Sequence, residues 1–252
     1  MYSRCPKCGH RPLPPDQSLP AACPGCGVIL AKIAAMPVRG MNTPGPAAGK
    51  PGIASAIAAC LMQVPAQVDP AALWGRVALL VGLGWWGLRL ILLDYRDGAI
   101  CASFIHAPLL VFHEAGHVLF RPFGEWLTVL GGTLGQLLMP TLLGGALLWK
   151  NRDPFGAAVG LWLLGVSLLD VAPYMYDALE PQLMLTSGTT GEEGGHDWIY
   201  LFSSLGLLGR SQAIGGLTHA LGALTLLLAL AWAAALLHRQ GRHLGSGLRE
   251  ED

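Results

Sequence analysis

From about Leu73 onward the chain alternates long apolar runs with short polar breaks, and each run approaches the ~20 residues that a helix needs to cross a bilayer's hydrocarbon core. Five runs are expected to span: Val77–Leu93, Ile100–Phe120, Trp126–Trp149, Phe155–Met175 and Ala213–Leu237. The breaks DYRDG, RPFGE and KNRDP separate the first four. Trp74, Trp126, Trp149, Trp198 and Trp232 fall at or near run ends, where aromatic side chains meet the membrane interface. Between the last two runs, YDALEPQLMLTSGTTGEEGGHDWIY is too polar and glycine-rich to face lipid, so a loop or re-entrant segment is expected there. A cytosolic N-terminus, Lys150/Arg152 and the basic Arg239/Arg242 tail all favour the same side, and five simple crossings cannot place all three there.

The first 70 residues read differently. Residues 36–70 (MPVRGMNTPGPAAGKPG and its continuation) hold few large side chains and form a Pro/Gly/Ala-rich linker, with a short helix expected within Ile53–Val64. MYSRCPKCGH lacks the apolar core of a secretory signal. Cys5-Pro-Lys-Cys8-Gly and Cys23-Pro-Gly-Cys26-Gly repeat one design, two thiolates on a tight turn whose glycine lets backbone amides face the sulfurs. The 14 residues between the pairs cannot build a core without metal, so Cys5, Cys8, Cys23 and Cys26 are expected to hold one structural zinc ion in a small β-rich ribbon, residues 1–35. The fold class expected is therefore mainly α. A multi-span transmembrane bundle (71–240) follows the ribbon and linker and ends in a polar tail (241–252).

Composition agrees: 52% of the residues are hydrophobic and 13% charged, far from a soluble average. Acidic and basic residues balance at 16 each, so no global field attracts nucleic acid, and the ribbon lacks a strongly basic face.

The stretch PLLVFHEAGHVLF carries the chemistry. His113 and His117 lie four residues apart, one above the other on a helix, where both imidazoles can reach one ion. Glu114 projects beside that ion, placed to take a proton from water and pass it to a leaving amine. Ionisable groups in an apolar run are costly unless they bind something, so a catalytic zinc is expected. Such an ion takes three protein ligands and keeps one open position. Two residues compete for the third place: Asp170, an acid in the apolar run two spans on, and His196, flanked by glycines and followed by Asp197, which would orient its imidazole. Gln136 and the Gly131-Gly132 pair are expected to meet substrate along an unwound segment, although helix packing through small residues is the commoner use of such a stretch. His106 and His219 read as packed histidines, and Asp177, Glu192 and Glu193 as solvated loop acids.

These motifs resemble the site-2 protease class of intramembrane metalloproteases, with His-Glu-x-x-His on one transmembrane helix and an aspartate two helices later. Residues 100–175 cover that core in the same order. The resemblance implies His113 and His117 as ligands, Glu114 as acid/base and Asp170 as the distal ligand. The family's Asn-x-x-Pro-x-x-x-Leu-Asp-Gly is replaced here by Ser167-Leu-Leu-Asp170-Val-Ala-Pro173. Gly195-His196-Asp197-Trp198 looks like a feature of a divergent branch of these peptidases and implies His196 as a candidate beside Asp170.

The reading is zinc-dependent hydrolysis of a peptide bond in or beside the membrane. The substrate is a membrane protein or peptide, the setting a bacterial inner membrane, and the ribbon lies in the cytosol, where it can dock a protein partner. Two other readings fit the same residues: a non-enzymatic zinc-binding membrane adaptor, and a metal transporter or sensor.

Overall fold

The computed structural model describes residues 3–5, 9–18, 21–30, 52–65 and 68–247, with side chains as far as 242. The chain divides into two compact units, residues 1–51 and 52–252.

In the N-terminal unit the two Cys-x-x-Cys turns share one backbone pattern. Gly9 N–H donates to the Cys5 carbonyl and Cys5 N–H to that of His10; likewise Gly27 N–H donates to Cys23 and Cys23 N–H to Val28. Both turns close on a glycine in the left-handed region, φ +76° at Gly9 and +69° at Gly27, which a side chain would strain. Ala22 and Ile29 form an isolated antiparallel bridge. Cys5, Cys23 and the fully buried Leu30 make the small core. Among the described residues of this unit the antiparallel pairing consists of this bridge.

The second unit is helical. Its elements are α1 (Ile53–Leu61), α2 (Pro70–Ile91), α3 (His106–Phe120), α4 (Glu125–Trp149), α5 (Pro154–Asp177), α6 (Asp197–Ser204) and α7 (Ser211–Gly247). Four segments are long and apolar enough to cross a membrane: Pro70–Ile91, Glu125–Trp149, Pro154–Asp177 and Leu208–Arg242. Helix α2 starts seven residues before the apolar run because Asp69 caps it, accepting from Ala71 and Ala72 N–H, with Pro70 preset at the first helical position.

The second expected span, Ile100–Phe120, does not form. Residues Ala99–Ala102 make a single 3-10 turn, Ser103 is extended, and α3 begins only at His106. Pro108 has no N–H to offer the carbonyl of Phe104, so a helix can contain it in its first turn but cannot extend back through it. The remaining 15 residues cover about 22 Å, short of a bilayer core of about 30 Å.

Small residues let the helices approach closely, the usual device where lipid removes the hydrophobic drive between them. A Cβ on Gly116 of α3 would meet the Gly131 carbonyl of α4, and one on Gly222 of α7 would stand 2.9 Å from the Gly165 carbonyl of α5. Leu90, Ile105, Leu109, Trp162, Val166, Leu169 and Leu226 fill the centre. At one end of the bundle Arg76 (α2) reaches Asp153 before α5 (3.9 Å) and Gln240 of α7 (3.2 Å). At the other end Tyr95 stacks on His219 of α7 and meets Tyr176 of α5 edge-on.

Candidate functional site

Helix α3 lies against α4 with His113 and His117 facing inward; His113 is 7% exposed. Each ring is held from behind. His113 Nδ1 donates to Gln136 Oε1 (3.3 Å), and His117 Nδ1 donates to the Thr128 carbonyl (2.8 Å). With the proton fixed on Nδ1, the lone pair of a neutral imidazole is at Nε2. Both Nε2 atoms point at one oxygen, Asp197 Oδ2, at 3.0 Å from His113 and 3.3 Å from His117.

Three acceptors thus converge, with their ligand atoms all within 4.8 Å of one another. Such a cluster needs a cation or extra protons at its centre. Two ligand atoms about 2.0–2.1 Å from one ion at the tetrahedral angle stand about 3.3 Å apart, which the observed 3.0 and 3.3 Å match. Burial, the largest influence on Asp197, raises its pKa. When protons and not a cation occupy the centre, both Nε2–H groups donate to Asp197; these bonds and the charges of the rings outweigh burial, and the carboxyl titrates below the usual carboxylate value.

The third acceptor is therefore neither of the two expected residues. Asp170 is buried one layer out: its Oδ1 accepts from His106 Nδ1 (2.9 Å) and its Oδ2 from Gln136 Nε2 (2.8 Å). It acts on His113 only through Gln136, a chain that fixes the orientation of the amide and hence of the ring. His196 turns away. Its Nδ1 accepts from Ile199 N–H at the start of α6, and its Nε2 stands 3.4 Å from Asp177 Oδ2. With Nδ1 capping the helix and Nε2 directed at Asp177, the ring stays outside the cluster, and the capped helix presents Asp197 instead. The roles expected of the neighbours are exchanged, with His196 the support and Asp197 the residue at the centre.

Asp177, expected in solvent, is 7% exposed; its Oδ1 accepts from Gln182 and Leu183 N–H and pins the start of the following loop. Tyr174 fastens the other end, its hydroxyl accepting from Asp197 N–H (3.0 Å). His106, expected as a packed ring, also lines a cavity of about 520 Å³. Glu114, His113, His117, Asp170 and Asp197 share this cavity, and Leu183–Ser187 of the loop forms its outer wall.

The glycine pair differs from expectation as well. Residues 125–149 are one continuous helix, so Gly131 and Gly132 offer no free backbone to an extended peptide. A Cβ on Gly132 would stand 2.5 Å from both His113 Nε2 and His117 Nε2, and one on Gly131 would meet Phe120 Cβ at 2.7 Å. Gly132 is where α4 makes room for the two rings. Gln136, bonded to both His113 and Asp170, is an orienting residue and not a free hydrogen-bonding group for substrate.

In the N-terminal unit, the sulfurs of Cys5, Cys23 and Cys26 lie within 4.8 Å of one another and can hold a metal ion. Cys5 Sγ and Cys26 Sγ are 3.7 Å apart, against about 3.8 Å for two thiolates on one tetrahedral zinc. Cys8 lies outside the described residues.

No family model matches the chain, and no curated protein or solved structure matches it at a significant level.

Proposed function

We propose that the chain is an integral membrane zinc metallopeptidase, similar to the site-2 protease class, with His113, His117 and Asp197 as the ligands of a catalytic ion. The observation that carries this reading is the convergence of three acceptor atoms on one point inside the cavity, with both Nδ1 atoms already engaged. Zinc suits two imidazoles and a carboxylate, and when bound it would supply a Lewis acid that polarises a carbonyl and lowers the pKa of water.

The chain's own residues supply the rest. Glu114 lines the cavity one residue from His113 and is free of any side-chain hydrogen bond among the described residues, so its carboxylate is available to accept a proton from water and deliver it to the leaving amine. Gln136 and the Thr128 carbonyl keep both rings in the tautomer that leaves Nε2 open. Leu110 and Val171 give the cavity apolar walls, and Leu183–Ser187 narrows access for water. The thiolate cluster of Cys5, Cys23 and Cys26, together with Cys8 of the same motif, would hold a second, structural zinc.

Glu114→Gln tests the reading. It should cut hydrolysis of a model membrane substrate by about 10²–10⁴-fold, the usual worth of a general base, while two zinc ions per chain are retained. An adaptor or a transporter would keep its activity in that variant. Unchanged proteolysis would sink the enzyme assignment.

A further inference from the structure

We propose that the His113–His117–Asp197 centre opens on the extracytoplasmic face of the membrane and takes peptide segments presented from that side. The substrate clause rests on the peptidase reading; the orientation does not depend on it.

Sidedness follows from which helix ends meet. Arg76 near the start of α2, Asp153 ahead of α5 and Gln240 near the end of α7 are in contact, so these ends share one face. Four crossings, unlike five, return both ends of the bundle to that face. Lys150 and Arg152 lie there within the four residues between α4 and α5, joined by Arg76, Arg239 and Arg242. Basic residues in short loops and beside span ends are retained on the cytoplasmic side. At the opposite end Arg89 lies in the last turn of α2 and residues 92–124 and 178–210 add Arg96, Arg121 and Arg210, four basic residues against five, and none of them sits in a connection as short as that holding Lys150 and Arg152. All three basic features that conflicted under five crossings are satisfied together by four.

A second observation agrees. Residues 1–69 contain no apolar run as long as a span, and α1, at nine residues, covers about 14 Å. The thiol cluster of Cys5, Cys23 and Cys26 therefore shares a compartment with the start of α2. Clustered thiols that bind metal persist in a reducing compartment, which is the cytosol.

The centre belongs to the other end. Its cavity wall, Leu183–Ser187 and Gly195, is part of the polar loop joining α5 to α7 there. His117 meets Thr128 in the first turn of α4, and Trp126 of that turn donates to Ser204 of α6. Asp170, deep in the cavity, is seven residues short of the end of α5 at Asp177, about 10 Å along the helix. A peptide reaches Glu114 from this face without passing the basic end.

The test uses the full chain in the inner membrane of bacterial spheroplasts, with single variants Glu193→Cys in the distal loop and Asn151→Cys at the basic end. Both positions are exposed. Labelling by a membrane-impermeant maleimide is read as the increment over the native chain. Glu193→Cys should label in intact spheroplasts, and Asn151→Cys only after permeabilisation. The reverse pattern, or labelling of Asn151→Cys in intact spheroplasts, overturns the orientation and leaves the peptidase reading standing. Conversely, the expected labelling together with unimpaired proteolysis by Glu114→Gln would sink the peptidase reading alone.

Discussion

Replacing Gly132 by alanine is the sharpest probe of the proposed metal centre. The added Cβ would stand 2.5 Å from His113 Nε2, 2.5 Å from His117 Nε2 and 2.6 Å from His117 Cε1. Non-bonded contacts of this kind settle near about 3.5 Å, so the rings must retreat by about 1 Å between them and the methyl group. They have little freedom to do so, because Gln136 and the Thr128 carbonyl hold each Nδ1 from the far side. Metal–ligand distances tolerate only about 0.2 Å of error, so the shift exceeds what an ion can follow. The affinity should fall by more than the ~10–100-fold, or about 1.4–2.7 kcal/mol, that loss of an orienting partner costs. Alanine favours a helix over glycine by about 1 kcal/mol, so the loss would not come from unwinding α4. The assay is zinc content of the purified protein in detergent, with competition by a chromophoric chelator. Two ions per chain should become one, the thiolate-bound ion remaining. Gly82→Ala, whose Cβ meets nothing within 4 Å, should keep both. A Gly132→Ala protein that holds two zinc ions at native affinity would refute the placement of the ion between these rings.

Other expectations follow from the same geometry. Asp197→Asn should weaken the catalytic ion far more than Asp170→Asn, for which the orienting role predicts about 10–100-fold; equal losses, or the opposite order in a zinc titration, would return Asp170 to the metal. Gly116→Ala should destabilise the bundle by about 1–3 kcal/mol through overpacking against the Gly131 carbonyl, read as a lower denaturant midpoint. In chelator-treated protein, Asp197 has a folded pKa below its unfolded value, so its contribution is present above the ordinary carboxylate range and lost as pH falls through the folded pKa. Thermal melts below about pH 4 should accordingly depend less on pH in Asp197→Asn than in the native chain.

What the sequence revealed and concealed divides along physical lines. His113 and His117 were legible because a four-residue spacing fixes two side chains on one helix face whatever the rest of the fold does. The glycine-closed Cys turns were legible for the same local reason. Hydropathy found α2, α4, α5 and α7 but overextended one run through Ser103 and Pro108, since an average over apolar residues does not register a missing N–H. The Asp69-Pro70 start signal of α2 was available and more informative than hydropathy. The third acceptor was concealed because it depends on how a loop folds back between α5 and α7. His196 and Asp197 are neighbours, and only the capping geometry of α6 decides which of them turns inward. Thr128 contributes a backbone carbonyl, for which no side-chain signal exists.

The backing of both imidazoles by Gln136 and Thr128 also governs how the centre is charged and discharged. Rings whose tautomer and tilt are set before the ion arrives give up little freedom when it does, so loading amounts to exchanging protons for metal within a finished socket. A thiolate knuckle works the opposite way, since its short chain orders itself around the ion. Mild chelation should therefore empty and refill the helical centre as a reversible titration, whereas stripping metal from the cysteines should unfold the N-terminal unit.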